Sequence, residues 1–265
     1  MSRDADQVEV SLTVAARPAT VFRFLSDPAL VREWLGQDGI LEPGVGGAIR
    51  VCSPAGPPAL GRVVEWVEGE RIAFTWGHPP EAGLLAPEST HVSITLTPIP
   101  GGTRLVLRHS GLTRAEGAEA ASGWRYFMST LAWLCARDEF GSRLDATLRT
   151  YTQAWNEPDQ TVRATLLGES FALDGTFRNR YAVVEGRDAL NAHIGGVLRF
   201  MPGLRLERPG LPDQCHMMVR SAWRVVDAAG VPRATGVDYF RLDDEGRLAD
   251  ATGFWDAIPA GAAGS

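Results

Sequence analysis

Hydrophobic and polar positions alternate along "VEVSLTVAA" (residues 8–16), and that period of two predicts a half-buried strand. Pro18 then opens a stretch in which Val21, Phe22 and Leu25 share one helical stripe, until Asp27-Pro28 stops it. From Gly46 to Ser110 the runs "AIRVCS", "GRVVEWV", "RIAFTW", "HVSITLTP" and "TRLVLRHS" are divided by Gly/Pro-rich turns, Pro54 to Pro58 and "PIPGG" among them. They predict an antiparallel meander. The period changes to helical in "EGAEAASGWRYFMSTLAWLCARDEF", where Trp124, Phe127, Met128, Leu131 and Leu134 form one apolar face.

The pattern restarts at Gly141-Ser142, which predicts a boundary there and two domains, 1–140 and 141–265. Leu144, Leu148, Tyr151 and Trp155 lie on one helix face, "NEPD" breaks the run, and Asp159 is placed to cap a second helix reaching Leu167. A strand region, "FALDGTFRNR", precedes a third helix with Leu190, Ile194, Val197 and Leu198 inward and Pro202-Gly203 as its stop. Three strands close the chain: "HMMVRSAWRVVD", "RATGVDYFRLD" and "RLADATGFWD". The fold class is therefore α+β throughout: a strand, short helix, curved sheet and long helix (a helix-grip plan), then helices followed by a curved sheet (an α+β cone).

With 265 residues, the chain is long enough for two cores. Its 26 Lys+Arg against 32 Asp+Glu give a net charge of -6, with basic residues scattered singly, which argues against a nucleic-acid partner. The polar start "MSRDADQVEV" lacks the apolar core of a leader, and no apolar run is long enough to span a bilayer, so a cytoplasmic protein without a membrane partner is expected. Cys52, Cys135 and Cys215 are odd in number and far apart, and the five histidines lack ligand spacing. Neither a disulfide framework, a metal site nor a cofactor is called for.

One residue interrupts the apolar logic. In "GVDYFRLDDEGRLADATGFWD", Gly236, Asp238, Phe240 and Leu242 share a face, so Asp238 stands among nonpolar neighbours. It is either a neutral acid facing a pocket, a structural acid satisfied by backbone or arginine, or an edge residue in solvent. If the next strand is in register, Ala249, Ala251, Gly253 and Trp255 face it, three small residues and one large one, leaving room for a cavity. An isolated carboxyl there would be raised by desolvation and donate a hydrogen bond at neutral pH. Trp155, Trp223 and Trp255 are candidate linings of this cone, and Trp76, His109, Trp124 and Phe127 of the first sheet; for all of these tryptophans and His109, ordinary core packing is the competing reading.

The segments "DPALVREWL", "GVGGAIRV", "GRVVEWVEGERIAFTW", "ESTHVSITLTPIPGGTRLVLRHSGL" and "SGWRYFMSTLAWL" resemble START-like SRPBCC proteins of the heat-shock-chaperone ATPase-activator-homologue type, over roughly residues 8–138. The resemblance implies a helix-grip cavity fold. Where many such proteins carry paired tryptophans, this chain has Trp34-Leu35, implying a changed cavity mouth. A chaperone-regulating role would rest on the family's label alone.

"YTQAWNEPD", "SFALDGTFRN", "VEGRDALNAHI" and the Asp238 hairpin resemble the SnoaL-like and ketosteroid-isomerase-like branch of the nuclear-transport-factor-2-like superfamily. That resemblance implies a homodimer formed through the C-terminal domain. It also implies that Tyr151 and Asp238 are oxyanion donors, while the position of the base falls on Asn179, an amide that cannot serve as one. His193 is the substitute base to consider. The expected function is binding of small apolar molecules, polyketide-, steroid- or aromatic-like, in two cavity domains. The alternative is a cyclase, isomerase or lyase in which Tyr151 and Asp238 stabilise an enolate.

Overall fold

The computed structural model describes residues 6–36, 38–52 and 57–256; the first five residues and most of the Pro54–Pro58 turn lie outside them. Contacts divide the chain into two compact units, Met1–Glu139 and Phe140–Ser265.

The first unit runs β1 (Asp6–Val14), α1 (Pro18–Ser26), α2 (Pro28–Leu35), β2 (Ile40–Leu41), β3 (Ala48–Val51), β4 (Ala59–Val67), β5 (Arg71–Trp76), β6 (Thr90–Ile99), β7 (Gly102–Leu112), then the start of α3 (Arg114–Asn156). Its strands form one antiparallel sheet in the order β1-β7-β6-β5-β4-β3-β2. Register follows the pattern of alternation: Val92 pairs with His109, Ile94 with Leu107 and Leu96 with Leu105, and all six are buried. They share a core with Met128 and Leu131 of α3. Asp27 does more than end α1, since its carboxylate accepts from Ala29 N at 2.8 Å and caps α2, with Pro28 at the first helical position.

At the expected boundary the backbone does not change. α3 continues without a break through Gly141-Ser142. One glycine inside a helix costs only about 1 kcal/mol relative to alanine, and the neighbours on both sides, free of proline, are good helix formers. The restart in sequence is a change in which face is buried, not a turn.

The second unit adds α4 (Gln160–Ser170), β8 (Phe171–Arg178), β9 (Val183–Glu185), α5 (Arg187–Phe200), β10 (Arg205–Glu207), β11 (Asp213–Cys215), β12 (Met218–Val226), β13 (Pro232–Leu242) and β14 (Leu248–Trp255). The sheet order is β10-β12-β13-β14-β8-β9, with β11 also on β12; only β14 and β8 pair in parallel. Three of its strands, β9, β10 and β11, are short and were not expected from the sequence. Asp159 caps α4 as predicted, accepting from Thr161 N at 2.8 Å and Val162 N at 3.0 Å. On α4 the buried Arg163 gives Nε to Asn191 Oδ1 at 2.6 Å and Nη1 to the Glu157 carbonyl at 2.7 Å, tying the end of α3 to α5.

Three rungs across β12, β13 and β14 shape the inner face: Val219-Phe240-Ala251, Ser221-Asp238-Gly253 and Trp223-Gly236-Trp255. The expected facing of Ala251, Gly253 and Trp255 is present. Ala249 instead falls at an irregularity, where Arg241 pairs with Asp250 and Leu242 with Leu248.

We propose that the two units unfold independently. In urea unfolding of the whole chain followed by near-ultraviolet circular dichroism, Arg163→Met should lower one transition by about 2–4 kcal/mol, because carbonyls and an amide lose a buried cationic donor. The other transition should stay where it is. A single transition shifted as a whole would show one cooperative body.

Candidate functional site

Within the second unit a cavity opens between α3, α5, β10 and the inner face of the sheet, its wall including Tyr151, Trp155, Phe177, Leu206, Trp223 and Asp238. The space available to the centre of a water-sized molecule is about 100 Å³. That is several times the ~10–15 Å³ that one water needs, so a compact organic molecule is the relevant scale.

Aromatic rings build the wall. Tyr151 stacks near Phe171 at 6.0 Å and meets Phe240 edge-on at 5.6 Å, while Trp155 tilts against Phe177 at 5.2 Å. Trp223 and Trp255 meet edge to face at 4.9 Å across Gly236. A methyl group on Gly236 would stand 2.4 Å from the Trp223 ring and 2.1 Å from the Phe254 carbonyl, so glycine is what lets the two indoles meet there.

Asp238 is not solitary. Its Oδ2 accepts from Arg208 Nη2 at 2.5 Å, and both side chains are largely buried, 8% exposed for Arg208 and 13% for Asp238. Burial pushes the Asp238 carboxyl above its usual range and Arg208 opposes the shift. A guanidinium does not give up its proton, and a neutral acid beside it would leave a buried cation uncompensated, so the pair is charged at neutral pH. This replaces the neutral donor expected at Asp238: the carboxylate accepts and the arginine donates. Among the three placements read from the sequence, Asp238 combines two, a cavity wall and an arginine partner.

Arg208 was not selected from the sequence, although a signal existed. "LRLER" alternates, putting Leu204, Leu206 and Arg208 on one side before Pro209-Gly210, and a buried acid calls for a cation. The structure fixes that segment from the end of α3, where the Asn156 side chain accepts from Leu206 N at 2.8 Å and donates to Leu206 O at 2.9 Å. Arg208 Nε then reaches Thr152 Oγ1 at 3.1 Å, and the guanidinium carbon lies 5.0 Å from the Phe240 ring centre and 5.8 Å from that of Tyr151.

Four buried polar atoms on this wall make no hydrogen bond within the protein: Tyr151 Oη, Trp155 Nε1, Trp223 Nε1 and Arg208 Nη1. Trp155 Nε1 is near enough to Tyr151 to favour its phenolate, and Trp223 Nε1 near enough to Asp238 to favour its carboxylate, yet neither attains hydrogen-bond geometry. Burial nonetheless raises the Tyr151 hydroxyl well above its ordinary value, so it is a neutral phenol.

The remaining candidates have other engagements. Asn179 lines the cavity, but its Oδ1 is engaged by the backbone amides of Tyr181 at 2.8 Å and Ala182 at 3.0 Å. His193 lies behind the wall, against Trp155 and Phe177 at 6.1 and 5.6 Å, and burial lowers its pKa. Among the described residues no group of three or more His, Cys, Asp or Glu is placed to hold a metal ion, and no helix is long and apolar enough to cross a membrane.

In the first unit, the candidate residues Trp76, His109 and Trp124 pack on one another, in keeping with the core-packing reading. Trp76 and Trp124 meet at 4.9 Å, and Phe127 packs on Trp124 at 6.3 Å. Trp124 Nε1 donates to His109 Nδ1 at 3.1 Å, which fixes the proton on His109 Nε2; that nitrogen donates to Thr90 Oγ1 at 2.9 Å, and Thr90 donates to the Trp76 carbonyl at 2.9 Å. Every polar atom of the relay is satisfied. Trp34 and Leu35 are both buried, with Trp34 Nε1 donating to the Phe24 carbonyl at 2.9 Å.

Residues 15–136 match the family described as "Activator of Hsp90 ATPase homolog 1-like protein". The match covers the first unit, an activator-homologue-type domain; the second unit is an α+β cone. Similar solved structures include a putative isomerase of the SnoaL-like family from Agrobacterium tumefaciens, at 30% identity over 44% of this chain and 99% of that one, TM-score 0.42. A protein from Mesorhizobium loti is 28% identical over 50% of this chain and 98% of its own, TM-score 0.44. The Aha1 dimer from Colwellia psychrerythraea is 18% identical over 48% of this chain and 93% of its own, TM-score 0.42. No curated protein matches the chain.

The relay makes the activator-homologue-type domain acid-sensitive. Burial lowers His109 to about 4 from 6.5, since a second ring proton would have to face the Trp124 N–H. The unfolded chain therefore binds a proton between pH 6.5 and 4 that the folded domain refuses. Stability is full above about pH 6.5 and falls as the pH drops towards 4, by about 3 kcal/mol if His109 acts alone. Urea midpoints at several pH values should show this slope in the parent and a smaller one in His109→Gln; equal slopes would remove His109 as its source.

Proposed function

We propose that the second unit binds a small, mainly apolar molecule of polyketide-, steroid- or aromatic-like character, without turning it over. The observation that carries this reading is the combination on one wall of aromatic rings with four buried, unpartnered polar atoms, which is how ligand sites differ from cores. The His109 relay in the first unit has the opposite character, which supports seeking the binding in the second.

Enolate chemistry supported by Tyr151 and Asp238 is the competing reading, and three features weigh against it. Asp238 is committed to Arg208, Asn179 is an amide bound to backbone, and His193 stands behind the wall. Substituting the missing base would not supply it, because an Asn179→Asp carboxylate would accept the same two backbone amides and be held at low pKa, a poor proton acceptor. The parent and Asn179→Asp are both expected to leave a β,γ-unsaturated ketone unisomerised, monitored by the conjugated-enone absorbance. Rapid conversion by the parent would overturn the binder reading.

Binding itself is tested with an apolar naphthalene dye on the full chain. Saturable one-to-one binding with tryptophan quenching is expected, and Val197→Trp, which fills the cavity from α5, should weaken it by roughly tenfold or more. Unchanged binding in Val197→Trp would place the dye elsewhere and remove the site.

A further inference from the structure

The four unpartnered atoms share a chemical sense. Trp155 Nε1, Trp223 Nε1 and Arg208 Nη1 can only donate, and Tyr151 Oη, as a neutral phenol, donates readily. Two of the acceptors nearby are taken, Asp238 Oδ2 by Arg208 and Asn179 Oδ1 by the amides of Tyr181 and Ala182. Three fixed donors and a phenol outnumber the one carboxylate oxygen, Asp238 Oδ1, that remains, so the wall is short of oxygens to receive its protons.

We propose that the ligand of this cavity presents a neutral carbonyl oxygen, as in a ketone, ester or lactone, and that Arg208 Nη1 is its principal recognition group, assisted by Tyr151 and the two indoles. The inference rests on the binder reading above and adds the polar half of the ligand to its apolar half. Arg208 can serve because its contacts are divided by atom: Nε is spent on Thr152, Nη2 on Asp238, and Nη1 alone is left. Its plane is held by those two bonds and by the rings of Phe240 and Tyr151, so little rotamer freedom remains to be lost on binding.

Charge decides between a carbonyl and a carboxylate. Arg208 is already neutralised by Asp238 at 2.5 Å, so the wall carries no net positive charge. A second carboxylate on Nη1 would lie close to Asp238 in a dry site, and like charges there repel strongly. A neutral oxygen draws on the guanidinium dipole without that penalty.

The test uses the full chain and three probes of one shape: acetophenone, ethylbenzene and benzoate, titrated by tryptophan fluorescence at pH 7.5. Acetophenone should bind roughly tenfold or more tightly than ethylbenzene, the worth of one charge-assisted hydrogen bond, and more tightly than benzoate. Its carbonyl stretch should move to lower wavenumber on binding. Truncating Arg208 alone would strand the Asp238 charge and endanger folding, so the pair is replaced together, Arg208→Met with Asp238→Leu, of similar volume. In that variant the advantage of acetophenone over ethylbenzene and the infrared shift should vanish. Trp223→Phe, which keeps a ring and loses the N–H, should reduce the advantage by a few-fold.

Equal affinity for acetophenone and ethylbenzene would overturn the carbonyl assignment while leaving an apolar binder. Benzoate binding best would overturn the charge argument and make the ligand an acid. Retention of the acetophenone advantage in the double variant would remove Arg208 as the recognition group. Binding of neither acetophenone nor ethylbenzene, with the naphthalene dye also failing, would instead sink the binder reading itself.

Discussion

A guanidinium keeps its charge wherever the chain puts it, so burying Arg208 obliges the second unit to be built around it. Asp238 supplies the counter-charge from the middle of β13, Thr152 takes Nε from α3, and Phe240 and Tyr151 offer ring faces. The pair joins α3, the segment after β10 and β13, three pieces distant in sequence. Removing either partner would leave the other as a buried unpaired charge, the costliest kind of core defect. The placement of Tyr151 and Asp238 on one wall is therefore partly a consequence of where Arg208 has to be held.

The two units solve the same problem of a polar group inside an apolar interior in opposite ways. Around His109 each donor has its acceptor in turn, from Trp124 through the imidazole and Thr90 to the Trp76 carbonyl, and nothing remains to offer a ligand. Around Arg208 the chain stops short: one nitrogen of the guanidinium, two indoles and a phenol are left over on the same wall. A satisfied relay stiffens a core. An unsatisfied one invites completion from outside, which is the ground for proposing binding in the second unit although both are rich in buried aromatic residues.

The strands and helices were largely legible because each obeys one period. β6 and β7 pair as their alternation requires, and Asp159 caps α4 where the sequence placed it. What the sequence did not reveal at the junction is the continuity of the helix: a glycine and a serine change the side-chain pattern more than they change the backbone, and α3 passes through them. At the site, the face carrying Asp238 was visible and its partner was not. Arg208 follows a three-residue strand, β10, whose pairing with β12 and whose tie to Asn156 are both long-range, and no window centred on it reveals either.

Two glycines show how the sheet makes room for this pair without any loop. On one rung Gly236 separates Trp223 from Trp255, and the absent side chain is replaced by the indole edge itself. On the next rung Gly253 stands opposite Asp238, where an added methyl would come within 2.9 Å of Oδ1. Neither residue has the positive φ that would demand glycine for its backbone; the demand comes from the neighbours. A methyl at 253 would press on the carboxylate that Arg208 needs, and a methyl at 236 would part the indoles that close the wall. Space for the ion pair and enclosure of the cavity thus depend on adjacent positions of one face. An alternation of small and large residues, which in a filled core would signal only packing, here sets how far the charged pair can be buried while one of its donors stays available.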